Sequence, residues 1–389
     1  MKIKSIKDFS DLTGKTVFLR TDYNVPVKKG IVQDDFKIIK QLPTIHYLLR
    51  HKCRIIIATH FGRPEPGVFA KEFSTKILAK HLEKALDKKI AFCPDFNFLH
   101  IGTKLSKLKA GEIMMLENIR FDAREKKNDK KFAKQLANLA DIYINDAFGV
   151  SHRADASVSA IKAFLPSYAG LLMENEIKSL DKVLNPEQPL IFIVGGVKLE
   201  TKIPLIKKFE KKAFRILVGG ALANNFLAAH GFEIGQSVAD KQSIKLAKKF
   251  KKKNILLPLD VVVSDRENKT LVRNLNEIQK DDHIFDIGPR TIKFYATFIK
   301  RAQTIIWNGP MGFFEMKSFR FGTKAIARLV ATRSSGRAFG VVGGGETVEA
   351  LKETRMMRHV DWISTGGGAM LSFLGGEKMP GLDGIIIKK

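Results

Sequence analysis

The chain has 389 residues, long for one core and suited to two domains. Its 44% hydrophobic and 28% charged content is that of an ordinary globular protein, with no run approaching the ~18 apolar residues of a membrane span and no apolar secretory core in Met1 to Gly14. A net charge of +27 admits nucleic acid, anionic lipid or anionic metabolites as partners, while two cysteines, Cys53 and Cys93, are too few for a disulfide framework and point to a reducing cytoplasm.

The first half alternates short β-rich runs with helical patterns. Strands are expected at Val17-Phe18-Leu19, Ile55 to Ala58, Met114-Met115-Leu116 and Ile142-Tyr143-Ile144. Helices are expected at Phe36 to Arg50, Thr75 to Leu86 and Asp129 to Ala140. Leu165-Pro166-Ser167 reads as the end of this block. Leu171 to Leu184 then reads as one connecting helix with Glu174, Glu176 and Lys178 exposed, and Pro186 and Pro189 precede the next strand.

The second half repeats the alternation, with helices expected near Ala221 to His230, Lys241 to Lys252, Thr291 to Arg301 and Thr323 to Thr332. Strands separated by helices of this length make βαβ units and a mainly parallel sheet. Two such blocks predict an α/β protein of two doubly wound, Rossmann-like domains joined by a helical hinge, with a cleft between them. The lysine runs, such as Lys207-Lys208 and Lys251-Lys252-Lys253, fall on segments that read as amphipathic helices. Solvated helix faces account for them, and the phenylalanines sit in apolar runs, so nucleic acid is disfavoured as a partner.

The two blocks end their strands differently. In the second half, five apolar segments run into glycine clusters at Gly195-Gly196, Gly219-Gly220, Asn308-Gly309-Pro310, Gly343-Gly344-Gly345 and Gly366-Gly367-Gly368. Glycine at such ends lets backbone N–H groups approach a phosphate, and the next helix presents its positive end. In the first half the strands lead into Arg20-Thr21-Asp22-Tyr23-Asn24, Thr59-His60-Phe61-Gly62-Arg63, Glu117-Asn118-Ile119-Arg120 and Asn145-Asp146 through His152-Arg153. A parallel sheet gathers these ends on one edge, so that Arg20, His60, Arg63, Arg120 and Arg153 converge on an anion, with Asp22 and Asn24 as partners for a hydroxyl. Separate solvation of each arginine is the plainer alternative for any one of them. A polyphosphate on one wall and an anionic metabolite on the other suggest phosphoryl transfer. No G-x-x-x-x-G-K-[ST] run, protein-kinase motif set or zinc spacing occurs.

These motifs, together with Gly195-Gly196-Val197-Lys198, Trp307 to Gly312 and Ser364 to Ala369, closely resemble those of phosphoglycerate kinases, in order from about residue 14 to residue 382. The resemblance implies reversible phosphoryl transfer between 1,3-bisphosphoglycerate with ADP and 3-phosphoglycerate with ATP. It implies Mg²⁺ carried as MgATP or MgADP, and a monomeric cytoplasmic enzyme of glycolysis that closes its domains. It also implies a 3-phosphoglycerate-binding domain over 1–168, a hinge helix over 169–185, a nucleotide-binding domain over 186–374 and a tail, 375–389, packed back on the first domain.

By the same resemblance Asp22, Asn24 and Lys37 hold the glycerate, and His60, Arg63, Arg120 and Arg153 hold its 3-phosphate. Lys198 follows the transferred group, with Lys37, Gly344 and Gly367 near it. Gly195, Lys202, Gly219, Asn308, Pro310, Glu315, Gly344, Gly345, Glu346 and Thr347 hold the nucleotide, Glu315 at the ribose and Glu346 also at the metal. The chain departs from the family pattern at Lys37 and Glu346, where arginine and aspartate are usual, and at Gly219-Gly220-Ala221, where three glycines are usual. The competing reading is an impaired family member kept as a basic binding protein.

Overall fold

The computed structural model describes residues 1–250 and 253–387. The chain divides into two compact units, Met1–Lys178 with the residues from Glu377 on, and Ser179–Gly376.

The first unit is built on a six-stranded parallel sheet. In spatial order its strands are Ile90–Cys93, Ile113–Leu116, Arg54–Ala58, Thr16–Arg20, Ile142–Asn145 and Ser167–Ala169. Successive side chains point to opposite faces, and both faces are apolar. Val17, Leu19, Ile55, Ile57 and Ile144 pack on Ile38, Ile45, Leu78 and Leu82 of the helices Phe36–Arg50 and Lys76–Leu86. Phe18, Ile56, Met114 and Tyr143 pack on Ile101, Phe132 and Leu136 of the helices Phe98–Ser106 and Lys130–Ala137. The sheet is thereby wound on both sides. Arg20 lies in register with Ala58 and with Asn145, so the carboxyl ends of the central strands are level.

The second unit repeats the plan with the parallel order Ile255–Leu256, Arg215–Val218, Leu190–Val194, Thr304–Asn308, Phe339–Gly343 and Trp362–Ile363. Every residue of Leu190–Val194 and Thr304–Asn308 is buried, as expected of central strands covered on both faces. Val194 is level with Val218 and Asn308, and Asn308 with Gly343, so four glycine turns emerge side by side. An antiparallel sheet, ordered Thr270–Asn274, Asp260–Ser264 and His283–Ile287, is inserted in this unit.

Several expectations need correction. Ser167 does not end a block: Ser167–Ala169 is the sixth strand of the first sheet, too short and too close to Pro166 to read as one. Glu174 and Glu176 are buried, although Lys178 is exposed. Glu174 accepts a hydrogen bond from Ser5 Oγ at 2.8 Å and pairs with Lys7 and Lys178, so its face of the Leu171–Leu184 helix is covered. The expected helix Lys241 to Lys252 is Lys241–Ala247, and Lys251 and Lys252 lie outside the described residues, as do the last two residues of the expected tail.

Candidate active site

In the first unit the strand ends form a cationic nest around one carboxylate. Asp22, nearly fully buried, receives the Lys37 ammonium at 2.8 Å, and its backbone N–H and carbonyl are both held by the Gln41 amide. Burial alone would raise its carboxyl, but Lys37, with Arg20 beyond it, holds it well below the usual carboxylate range. His60 Nδ1 stands 4.0 Å from Asp22 Oδ1. Burial, reinforced by Arg20 and Arg120, holds the His60 imidazole well below its ordinary value despite Asp22. It is therefore neutral near pH 7 and keeps one N–H to donate.

Asn24 Oδ1 accepts from the Gly62 N–H at 2.9 Å, and Arg120 Nη1 donates to the Gly62 carbonyl at 2.9 Å. Burial and the nearby Arg153 and Arg20 push the Arg120 guanidinium down to about 10. Cations this crowded are stabilised by an anion among them. His60 Nδ1 and Arg120 Nε are buried and make no hydrogen bond within the protein, which leaves both able to donate to a ligand. Arg63 and Arg153 are exposed beside them. Arg20 is the exception among the expected ligands. It is fully buried, its Nε donates to Ser157 Oγ at 2.7 Å, and Nη1 donates to the Thr21 carbonyl, so it braces the nest from beneath.

In the second unit the glycine turns form a floor. Gly195 N donates to the Asn308 carbonyl at 3.0 Å, Gly196 N to the Pro310 carbonyl at 2.8 Å, and Gly309 N to Thr347 Oγ1 at 2.8 Å. Gly309 has φ +92°, and a Cβ there would lie 2.3 Å from the Gly195 carbonyl oxygen and 2.7 Å from Lys202 Nζ. Only glycine lets these two turns and the lysine coexist.

Lys202 is 7% exposed. Its ammonium donates to Asn308 Oδ1 at 2.7 Å, while Asn308 Nδ2 donates to the Gly343 carbonyl at 2.8 Å. Burial pushes the Lys202 ammonium down to about 8, with Glu346 opposing. Lys198, four residues earlier, is exposed and makes no ion pair among the described residues. Beside the floor opens a cavity of about 200 Å³, lined by Gly196, Gly220 and Pro310, by the apolar Val238, Ile284, Phe285 and Phe313, and by Glu315 and Glu346. An apolar slot with two carboxylates at a phosphate-type floor suits a nucleoside with its hydroxyls.

The family model for phosphoglycerate kinase matches residues 6–377. This chain belongs to the phosphoglycerate kinase family. The phosphoglycerate kinase of Pelotomaculum thermopropionicum is 40% identical over 400 residues, with both chains fully covered. That of Thermosipho africanus is also 40% identical, over 402 residues, covering 100% of this chain and 99% of its own. The solved phosphoglycerate kinase of Coxiella burnetii superposes with a TM-score of 0.87 at 37% identity, and that of Pyrococcus horikoshii with 0.87 at 32%, each over 98% of both chains.

Against the phosphoglycerate kinase pattern, the structure brings Asp22, Asn24, Lys37, His60, Arg120 and Arg153 into one electrostatic cluster. Arg63 follows Gly62 at its rim. Gly195, Lys202, Asn308, Pro310, Gly344 and Thr347 share one hydrogen-bonded or close-packed turn system, and Glu315 and Glu346 line the adjoining cavity. Gly219 packs on Met311, Gly345 is the exposed first residue of the helix Gly345–Glu353, and Gly367 precedes the exposed start of the helix Gly368–Gly375.

Sequence reasoning missed the braces. Asn118 accepts from Phe61 N and Arg120 N and donates to the Phe61 and Phe73 carbonyls, binding two strand-end loops together. It also missed the wall made by Val238, Ile284 and Phe285, which the inserted antiparallel sheet and its approach supply. For magnesium, the described residues contain no group of three or more His, Cys, Asp or Glu side chains able to cage a metal. Glu346, exposed in the first turn of its helix, is a single oxygen donor. That set fits an ion held chiefly by nucleotide phosphates and water.

Proposed function

We propose that this chain catalyses the reversible transfer of a phosphoryl group from 1,3-bisphosphoglycerate to ADP, giving 3-phosphoglycerate and ATP. The observation that carries the reading is the state of the cations at both sets of strand ends. Among the described residues Arg63, Arg120, Arg153 and Lys198 are paired with no protein carboxylate. They remain available for phosphate.

The reading assigns the phosphoglycerate substrate to the first unit. Asp22 and Asn24 accept from the glycerate hydroxyl, His60 donates its N–H to the 3-phosphate, and Arg63, Arg120 and Arg153 neutralise that phosphate. Lys37, fixed on Asp22, supplies positive charge to the reacting carboxyl. The nucleotide goes to the second unit. Its base enters the apolar cavity, Glu315 takes the ribose hydroxyls, and Lys202 with the Gly195, Gly219, Asn308, Pro310, Gly344, Gly345 and Thr347 turns holds the phosphates. Lys198 and the helix starting after Gly367 stabilise charge on the group as it moves in line from donor to acceptor.

Magnesium on the nucleotide phosphates would neutralise part of their charge, with Glu346 as its protein neighbour. Residues 1–168 and 186–374 as the two working domains, with 169–185 as hinge, belong to the same reading, as do a monomeric state and a cytoplasmic setting. Steady-state assay of ATP consumption tests it. Turnover that requires 3-phosphoglycerate and falls on Arg63→Ala or Lys198→Ala is expected. Turnover at background would favour the impaired binding protein instead.

A further inference from the structure

The first unit holds a second concave site that the proposed reaction leaves unused. It is a pocket of about 790 Å³, within the ~300–1,000 Å³ range of small-molecule sites. It shares Asn24 and Gly62 with the nest around Asp22 but is lined by none of Asp22, Lys37, His60, Arg63, Arg120 or Arg153. Its base is apolar: Val25, Val27, Ile77 and the edge-to-face rings of Phe61 and Phe73, whose centroids are 6.4 Å apart.

Four lysines from three separate segments line the same pocket. Lys29 comes from the tip of the Val27–Lys28/Ile31–Val32 hairpin, Lys71 from the turn Lys71–Phe73, and Lys76 and Lys80 from adjacent turns of the Lys76–Leu86 helix. All four are exposed, and none has an ion-pair or aromatic partner among the described residues. The pocket has one acid, Glu72. Solvated lysines on a convex helix need no explanation. Four lining one concavity from three segments, against a single acid, give it an excess of positive charge that favours a multiply charged anion.

We propose that this pocket binds a small organic polyphosphate, its body on the Phe61–Phe73 floor and its phosphates among Lys29, Lys71, Lys76 and Lys80. Because Gly62 N donates to Asn24 Oδ1 and Gly62 O accepts from Arg120, an occupant touching Asn24 and Gly62 is one hydrogen bond from the proposed phosphate site. Occupancy is therefore coupled to 3-phosphoglycerate affinity, and by reciprocity the coupling runs both ways.

Calorimetric titration of the full chain with inorganic tripolyphosphate, in the presence of saturating 3-phosphoglycerate, tests this. A bound tripolyphosphate is expected whose affinity drops on the order of tenfold or more when Lys71, Lys76 and Lys80 are together replaced by alanine. Without tripolyphosphate the triple variant should keep its turnover and KM values within about twofold, since exposed unpaired lysines carry little stability. An affinity unchanged by the triple substitution would overturn the proposal, as would tripolyphosphate binding abolished by 3-phosphoglycerate. Loss of turnover in wild type would instead count against the kinase reading and leave this titration to stand by itself.

Discussion

Replacing Lys202 by methionine should raise stability at neutral pH while destroying activity. The Lys202 ammonium is buried, and its displacement from 10.5 to about 8 corresponds to roughly 3 kcal/mol spent on keeping the charged form there at pH 7. Methionine removes that cost but leaves Asn308 Oδ1, now 2.7 Å from the ammonium, without a donor, a loss of about 1–2 kcal/mol. The net expectation is a gain of about 1 kcal/mol. The pH dependence identifies the cause. In wild type the folded chain releases the proton near 8 and the unfolded chain near 10.5, so wild-type stability rises through that window. The variant lacks this rise. Its advantage should shrink by about 1.4 kcal/mol per pH unit above 8 and reverse by about pH 9.5. Urea unfolding at pH 7 and 9.5 measures both values, and turnover at pH 7 should fall by about 10² or more. A stability difference identical at the two pH values would refute the buried-charge argument, and retained turnover would refute the role at the phosphates.

Lys37→Arg supplies a fork that can keep Asp22 and still reach the substrate; one added charge-assisted hydrogen bond of about 1 kcal/mol predicts roughly fivefold faster turnover, and no gain removes the idea of a penalty at this position. Gly309→Ala forces a non-glycine residue to φ +92° with its Cβ 2.3 Å from the Gly195 carbonyl oxygen, so thermal unfolding should show a loss of about 2 kcal/mol or more and the nucleotide KM should rise; an unchanged melting curve contradicts the packing. His60 resists protonation in the fold while the unfolded chain takes a proton near 6.5, so this group costs stability as pH falls below that value. Wild type should therefore lose up to about 2 kcal/mol more than His60→Gln between pH 7.5 and 5 in urea unfolding, and equal losses would show that the imidazole is not held neutral.

The layout of the fold was legible because its signals are local. Apolar runs at Ile55–Ala58 or Ile142–Ile144 bury both faces of a parallel strand, and the 3.6-residue pattern of Phe36–Arg50 and Leu171–Leu184 gives those helices end to end. Site residues at strand ends were legible for the same reason, since parallel register alone places Arg20, Ala58 and Asn145 level. What a pattern could not show was which of several cations turns inward. Arg20 and Arg120 look alike in sequence, yet one is bonded to Ser157 and the other leaves Nε free, a distinction made by Glu125 and Ser157 more than a hundred residues away from Arg20. Glu174 failed likewise: its partner Ser5 is 169 residues distant, and a helical wheel cannot anticipate it. The apolar wall at Val238, Ile284 and Phe285 depended on an inserted antiparallel sheet with no turn motif to announce it.

The most direct test of the central claim follows the phosphorus itself. With ATP labelled at the γ-phosphate and 3-phosphoglycerate in excess, the label should appear in an acid-labile acyl phosphate, and Arg153→Ala and Lys198→Ala should each suppress it. Label found only as inorganic phosphate, or left on ATP, would contradict the account.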